Sequence, residues 1–141
     1  MLSALNDERA EYLVVGAYAL GTYLPPRATG DLDVWIRPTP ENAERVWRAL
    51  IRFGAPRRGL NLEDLSSPDI IFHFGVPPQR IDILTSITSV EFVDAWTNRK
   101  ETTINGLTVQ ILGREQLLQN KRATGRPKDL VDAENLIKKY G

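Results

Sequence analysis

Two strand-like runs in the middle of the chain lie too close together to be joined by anything but a turn. Residues 69–74 and 79–84 are separated only by Gly75-Val76-Pro77-Pro78, whereas a parallel pairing needs a crossover of about a dozen residues or more. They must therefore pair as antiparallel neighbours. A second such pair, 101–104 and 107–112, meets at Asn105-Gly106, a strong two-residue turn signal. Hairpins in these positions break any regular βαβ alternation, which argues against a doubly wound sheet.

The flanking segments complete the pattern. Residues 3–10 read as a short helix. Tyr12-Leu13-Val14-Val15 is a compact apolar strand ending at Gly16, and Ala17 to Leu24 reads as a helix stopped by Pro25-Pro26. Asp31 to Ile36 alternates, with Leu32, Val34 and Ile36 on one face and Asp31, Asp33 and Trp35 on the other. Pro40 opens the longest helix, to about Phe53, with Val46, Leu50 and Phe53 as its buried stripe. Glu41 with Arg45 and Glu44 with Arg48 are i,i+4 pairs on its exposed side. Residues 54–68 read as loop, and Val90 to Trp96 as a short helix. Two helices close the chain, Arg114 to about Thr124 and Pro127 to about Tyr140, with Gly125 ending the first and Pro127 suiting the first turn of the second. The expected architecture is α/β: a mixed sheet of about five or six strands with flanking helices. At 141 residues, residues 1–141 are expected to form a single domain.

Composition narrows the chemistry. There are no cysteines and one histidine, His73, so thiolate and histidine-rich metal sites are excluded. Any bound metal must rest on carboxylates, which points to Mg²⁺ or Mn²⁺. The formal net charge is zero, which argues against bulk electrostatic binding of nucleic acid while leaving room for a local basic groove. No apolar run approaches membrane-spanning length, so no membrane partner is expected. The first residues, Met1-Leu2-Ser3-Ala4-Leu5-Asn6-Asp7-Glu8, lack a basic stretch leading into an apolar one, and a cytoplasmic location is the expectation.

Asp31-Leu32-Asp33 is the first chemical candidate. Residues two apart on a strand share a face. Two carboxylates there repel each other and are costly near a core, and a divalent cation relieves both problems. Alone, the pair is as well explained by Asp31 capping the loop and Asp33 facing water. Asp82, flanked by Ile81 and Ile83 in an apolar strand, adds a third acid. Its bland explanation is a salt bridge with Arg80 or Arg27, and its functional one is completion of a metal site. Three convergent carboxylates suit two-metal phosphoryl chemistry, with one able to share a cation or take the proton of an attacking hydroxyl. Gly16-Ala17, where a strand turns directly into a helix, would offer backbone N–H groups to a phosphate.

These pieces together resemble the nucleotidyltransferase superfamily: strand, glycine and helix, then Asp-x-Asp on the next strand, then an acid on a separate strand. The nearer likeness is to a small bacterial branch containing abortive-infection toxin-type nucleotidyltransferases. It is carried by Arg27-Ala28-Thr29-Gly30-Asp31-Leu32-Asp33-Val34 and by Lys121-x4-Arg126-Pro127-Lys128-Asp129-Leu130-x-Asp132. The resemblance spans nearly the whole chain. It implies a minimal nucleotidyltransferase fold and metal-dependent transfer of a nucleoside monophosphate from a nucleoside triphosphate to an acceptor hydroxyl, on RNA, a protein or a small molecule. It implies that Asp31, Asp33 and Asp82 are catalytic and hold the metal. Gly16 and Ala17 would cradle phosphate, Lys121 and Arg126 would neutralise it, and Asp129 would orient them. Many active members have serine after the motif glycine. Here Ala17 leaves only backbone contacts, and the nearby hydroxyl of Tyr18 is expected to point elsewhere. A non-catalytic nucleotide-binding module, or a toxin–antitoxin interaction partner with the same fold, is the alternative.

Read from the residues alone, Lys121 shares a helix face with Leu117 and Leu118, which suits either a cleft lysine or one at the core margin. Arg126 and Lys128 oppose the dipole at the start of the last helix, so an anion there would relieve them, whereas Asp129 and Asp132 favour it. Arg27 and Thr29 could contact phosphate or fix their loop. His73 reads as a satisfied strand residue. Trp35 could stack on a base, though a core role is commoner. Arg45, Arg48, Arg52, Arg57 and Arg58 could face RNA, although interleaved glutamates favour a solvated surface.

Overall fold

The computed structural model describes residues 1–26, 31–76 and 79–141. Six strands form one mixed sheet in the spatial order β3-β4-β2-β1-β6-β5. They are β1 (Tyr12–Val15), β2 (Asp31–Ile36), β3 (Ile71–Phe74), β4 (Arg80–Leu84), β5 (Lys100–Ile104) and β6 (Leu107–Ile111). The hairpins are as expected, with β3 antiparallel to β4 and β5 to β6. β1 and β2 also run antiparallel, while β2–β4 and β1–β6 are parallel.

Strand alternation divides the apolar residues between two layers. Tyr12, Val14, Val34, Ile36, Ile81, Ile83, Val109 and Ile111 form one face. Against it pack α1 (Leu2–Asp7), α3 (Pro40–Phe53) and a 3₁₀ turn, Leu62–Ser66. Leu13, Val15, Trp35 and Leu112 form the other face. They meet residues of α2 (Gly16–Tyr23), α4 (Phe92–Thr97), α5 (Arg114–Thr124) and α6 (Pro127–Tyr140). Asp31, Asp33 and Asp82 sit at odd and even positions that place them on this second face.

α3 shows how local chemistry fixes an element. Thr39 caps it by accepting from the Asn42 N–H, Pro40 occupies its first turn, and Gly54 ends it in the left-handed region at φ 82°. Asn42, only 1% exposed, ties the helix to the sheet. Its Oδ1 accepts from the Glu11 N–H at 2.7 Å, and its Nδ2 donates to the Glu11 and Arg37 carbonyls at 2.9 and 3.0 Å. All its polar capacity is used, so its burial carries no unpaired group.

Several boundaries differ from the sequence reading for identifiable reasons. α1 ends at Asp7, and Arg9 adopts φ 57°. β3 starts at Ile71 because Asp69 takes φ 57° and bonds Ser86 instead of extending the ladder. The loop after α3 contains the 3₁₀ turn, whose Asp64 side chain accepts from the Asn61 N–H at 2.9 Å. Phe53 is 47% exposed and leans on Phe74 at the edge of the helix rather than in the core. Arg48 and Arg52 bond Glu8 of the chain before β1, at 2.9 and 2.8 Å, so a distant carboxylate displaces the expected in-helix pairing of Arg48 with Glu44. Among the described residues no helix is long and apolar enough to cross a membrane.

Candidate functional site

Strand register builds a row of side chains across the second face. His73 stands opposite Asp82, Asp82 opposite Asp33, and Asp33 opposite Val15. Asp31 lies two residues before Asp33 on the same face, opposite Arg80. The parallel pairing of β2 with β4 therefore puts acids from two distant segments side by side.

Asp33 is half-buried, and its environment is unfavourable to charge. Burial is the main cause, followed by the Asp82 charge and a hydrogen bond with Asp82, then by the Asp31 charge, and Arg80 only partly offsets them; the Asp33 carboxyl is pushed up to about 6. Arg80 Nε donates to Asp82 Oδ1 at 3.0 Å. The salt bridge that would explain Asp82 without a ligand is thus present, yet it leaves the Asp33–Asp82 contact intact.

Gly16 closes the other side. Its φ is +68°, and a Cβ built on it would run into the Asp33 carboxylate, lying 3.1 Å from Cγ and closer still to Oδ2. Glycine is required here for two reasons at once: the left-handed backbone and the space Asp33 occupies. Residue 16 also begins α2, so the unsatisfied N–H groups of the first turn start beside the carboxylate.

Gly16 and Asp33 line a cleft of about 650 Å³ that runs between the sheet and α5. Its opposite wall carries Asn120, Lys121, Thr124 and Arg126, and its floor includes Val15, Ile70, Leu84 and Ile87. Lys121 is buried, as its helix face implied. Its Nζ donates to Asp129 at 2.9 Å and pairs with Asp132 at 3.2 Å. Arg126 Nε and Thr124 Oγ1 donate to the other Asp129 oxygen at 2.7 and 2.6 Å. Burial pushes the Asp129 carboxyl up, but the donors Thr124, Lys121 and Arg126 outweigh it and hold the group at about 2. Two cations face two carboxylates, so the cluster brings no net positive charge to the cleft. Arg126, with its side chain 74% exposed, still turns part of its guanidinium outward.

The expected site residues thus separate into groups. Asp31, Asp33, Asp82 and Gly16 gather at one end. Lys121, Arg126 and Asp129 gather across the cleft, but Lys121 is matched internally rather than held free. Arg27 and Thr29 lie outside the described residues. Trp35 is 1% exposed and packs edge-on against Phe92 at 5.0 Å, so it belongs to the core. Tyr18 borders other hollows and not this cleft, as expected. His73 is exposed on the outermost strand. Sequence reasoning missed Asp69, Ser86, Thr88, Asn120 and Thr124, all in the cleft wall. None carried a local signal, because tertiary folding alone brings them together.

A hard cation suits the donor set. The two carboxylates are in contact; Arg80 pairs with Asp82, while Asp33, pushed up to about 6 by burial and repulsion, has a demand for positive charge that oxygen-preferring Mg²⁺ or Mn²⁺ would satisfy. Among the described residues, no group of three or more histidine, cysteine or acidic side chains is assembled as a metal site; Asp33 and Asp82 are paired, with Asp31 beside them.

No family model and no curated protein matches the chain. Solved structures do. A candidate nucleotidyltransferase from Thermotoga maritima superposes with a TM-score of 0.61 at 18% identity, over 97% of this chain and 86% of that one. An antigenic nucleotidyltransferase-like protein from Paracoccidioides brasiliensis superposes with a TM-score of 0.55 at 17% identity, over 97% of this chain and 72% of that one. At these identities the likeness is one of fold, and the mixed six-stranded sheet with its flanking helices is a nucleotidyltransferase-like fold.

Proposed function

We propose that the cleft binds a nucleoside triphosphate with a divalent cation and transfers its nucleoside monophosphate to an acceptor hydroxyl. The observation that carries this reading is the Asp33–Asp82 pair, set in register on β2 and β4 beside the Gly16 turn of a nucleotidyltransferase-like fold. Asp33 and Asp82 would hold the cation between them, with Asp31 beside Asp33. A cation bound there supplies charge neutralisation to the triphosphate and makes the acceptor hydroxyl more acidic.

The chain's own groups do the rest. The first-turn N–H groups of α2 hold phosphate oxygens, a backbone task that Ala17 permits without a hydroxyl. Arg126 adds an exposed guanidinium, fixed at Nε by Asp129. Lys121, Asp129 and Asp132 act as a rigid base for Arg126 rather than as phosphate ligands. Asp82 takes the hydroxyl proton as the acceptor oxygen bonds to the α-phosphorus. The bond to the bridging oxygen breaks, and pyrophosphate leaves with the electron pair.

The test is incubation with each α-labelled nucleoside triphosphate, Mg²⁺ or Mn²⁺, and RNA, protein or small-molecule acceptors. Label should move to an acceptor with wild-type protein and not with Asp33→Asn. Turnover by that variant at the wild-type rate would sink the assignment.

A second reading is favoured by the internally neutralised Lys121 and by Ala17: the fold binds nucleotide, or a protein partner such as a toxin or antitoxin, without turnover. Saturable Mg²⁺–nucleotide binding with no label transfer to any acceptor would select it.

A further inference from the structure

The cleft changes character away from the acids. On β4, Asp82 is followed on the same face by Leu84, and just past the strand end the chain reaches Ser86, which lines the same cleft. The pairing continues past the strand ends, because Thr85 N donates to the Ile70 carbonyl at 3.0 Å. Asp69 and Ser86, bonded to each other just past the strand ends, lie beyond the apolar row of Ile71, Leu84 and Trp35.

Asp69 is held in an unusual way. It adopts φ 57°, a region that few residues other than glycine, Asn and Asp occupy. Ser86 Oγ donates to its Oδ1 at 2.7 Å and accepts from its N–H at 3.1 Å. That clamp fixes one carboxylate oxygen and leaves Oδ2 without a partner among the described residues. The side chain is exposed, and it lines both the 650 Å³ cleft and an adjoining hollow of 480 Å³. The two share Asp69, Ser86 and Ile87 as a common wall.

We infer that this end of the cleft is the nucleoside subsite, and that Asp69 Oδ2 accepts a hydrogen bond from a donor on the nucleoside. The inference rests on the nucleotide-binding reading above. Charge decides the direction in which the ligand lies. A triphosphate is repelled by Asp69 and drawn to the cation end and Arg126. A neutral nucleoside fits the apolar floor of Ile70, Leu84 and Ile87, with a carboxylate at its rim. The donor is either a ribose hydroxyl or an amino or imino group of the base, and the same oxygen serves both.

The test uses Asp69→Asn. Asparagine tolerates the same backbone region and can still accept from Ser86, so the fold and clamp persist while a bare acceptor becomes a donor. Binding is measured for the four Mg²⁺–nucleoside triphosphates, their 2′- and 3′-deoxy forms, and Mg²⁺–tripolyphosphate. The variant should weaken at least one nucleotide by about tenfold or more while binding tripolyphosphate as wild type does. Loss of the effect in one deoxy form assigns the donor to the ribose. A penalty confined to certain bases assigns it to the base. If wild-type protein binds nucleotides and Asp69→Asn binds all of them equally well, the subsite is overturned and the nucleotide reading stands. If the variant changes tripolyphosphate binding as much as nucleotide binding, Asp69 acts on phosphate and the subsite is again overturned. If wild-type protein binds no nucleotide, both readings fall.

Discussion

Replacing Asp129 by asparagine should destabilise the protein at neutral pH and not in acid. Asp129 is 4% exposed and receives hydrogen bonds from Lys121, Arg126 and Thr124 at 2.9, 2.7 and 2.6 Å. Burial works against its charge, yet the donors hold the carboxyl at about 2 instead of 3.8. That depression is equivalent to about 2 kcal/mol of folding stability near neutral pH. The sign follows from the direction. A depressed carboxyl stabilises the fold above its unfolded value and loses that contribution as pH falls through the folded one. Asn keeps the shape of the side chain, removes the charge and turns one acceptor oxygen into an N–H donor, as protonation turns one into an O–H donor. In a domain of this size about 2 kcal/mol lowers the melting temperature by roughly 6–10 °C. Thermal unfolding followed by circular dichroism, for wild type and variant from neutral pH to about pH 2, reads this directly. The gap should be full near neutrality and should close between about pH 4 and pH 2. Equal melting temperatures at neutral pH, or a gap that persists unchanged into acid, would refute the account of the buried cluster.

Three further outcomes follow from named contacts. Gly16→Ala forces a side chain into the left-handed region at a cost of about 1–2 kcal/mol and displaces the Asp33 carboxylate; urea unfolding should show the loss, and Mg²⁺–nucleotide binding should fall with it. Asp33→Asn should raise the melting temperature in metal-free buffer at neutral pH. The raised carboxyl weakens the fold as pH climbs from 3.8 through about 6, so the gain should vanish well below 3.8. Asn42→Ala leaves the Glu11 N–H without its partner and takes one of two donors from each of the Glu11 and Arg37 carbonyls, and should cost about 1–3 kcal/mol in chemical denaturation.

Much of the site could be read before folding because strand alternation is strictly local. Asp31 and Asp33 had to share a face, and Asp82 had to oppose Ile81 and Ile83. That β2 and β4 would pair in register, with Asp33 against Asp82, depends on sheet order and lay beyond any local pattern. Lys121 was legible as a residue of a buried face, but its pairing with both Asp129 and Asp132, on the next helix, depends on how α5 and α6 pack. Phe53 fitted the helical stripe and is still 47% exposed, as the last residue of α3 leaning on Phe74 of the outermost strand. The Asp64–Asn61 bond follows an N-terminal capping pattern that the sequence contains and that polar composition concealed. Asp69 and Ser86 are seventeen positions apart, and only the β3–β4 pairing makes them neighbours.

The central claim is that Asp33 and Asp82 together form a cation site that works with nucleotide. Mn²⁺ binding followed by electron paramagnetic resonance, with and without a non-hydrolysable nucleoside triphosphate, addresses it most directly. Wild-type protein should show saturable Mn²⁺ binding that tightens when nucleotide is added, and either Asp33→Asn or Asp82→Asn should abolish it. Saturable binding that survives both substitutions, or no saturable binding by wild-type protein at neutral pH, would contradict the account.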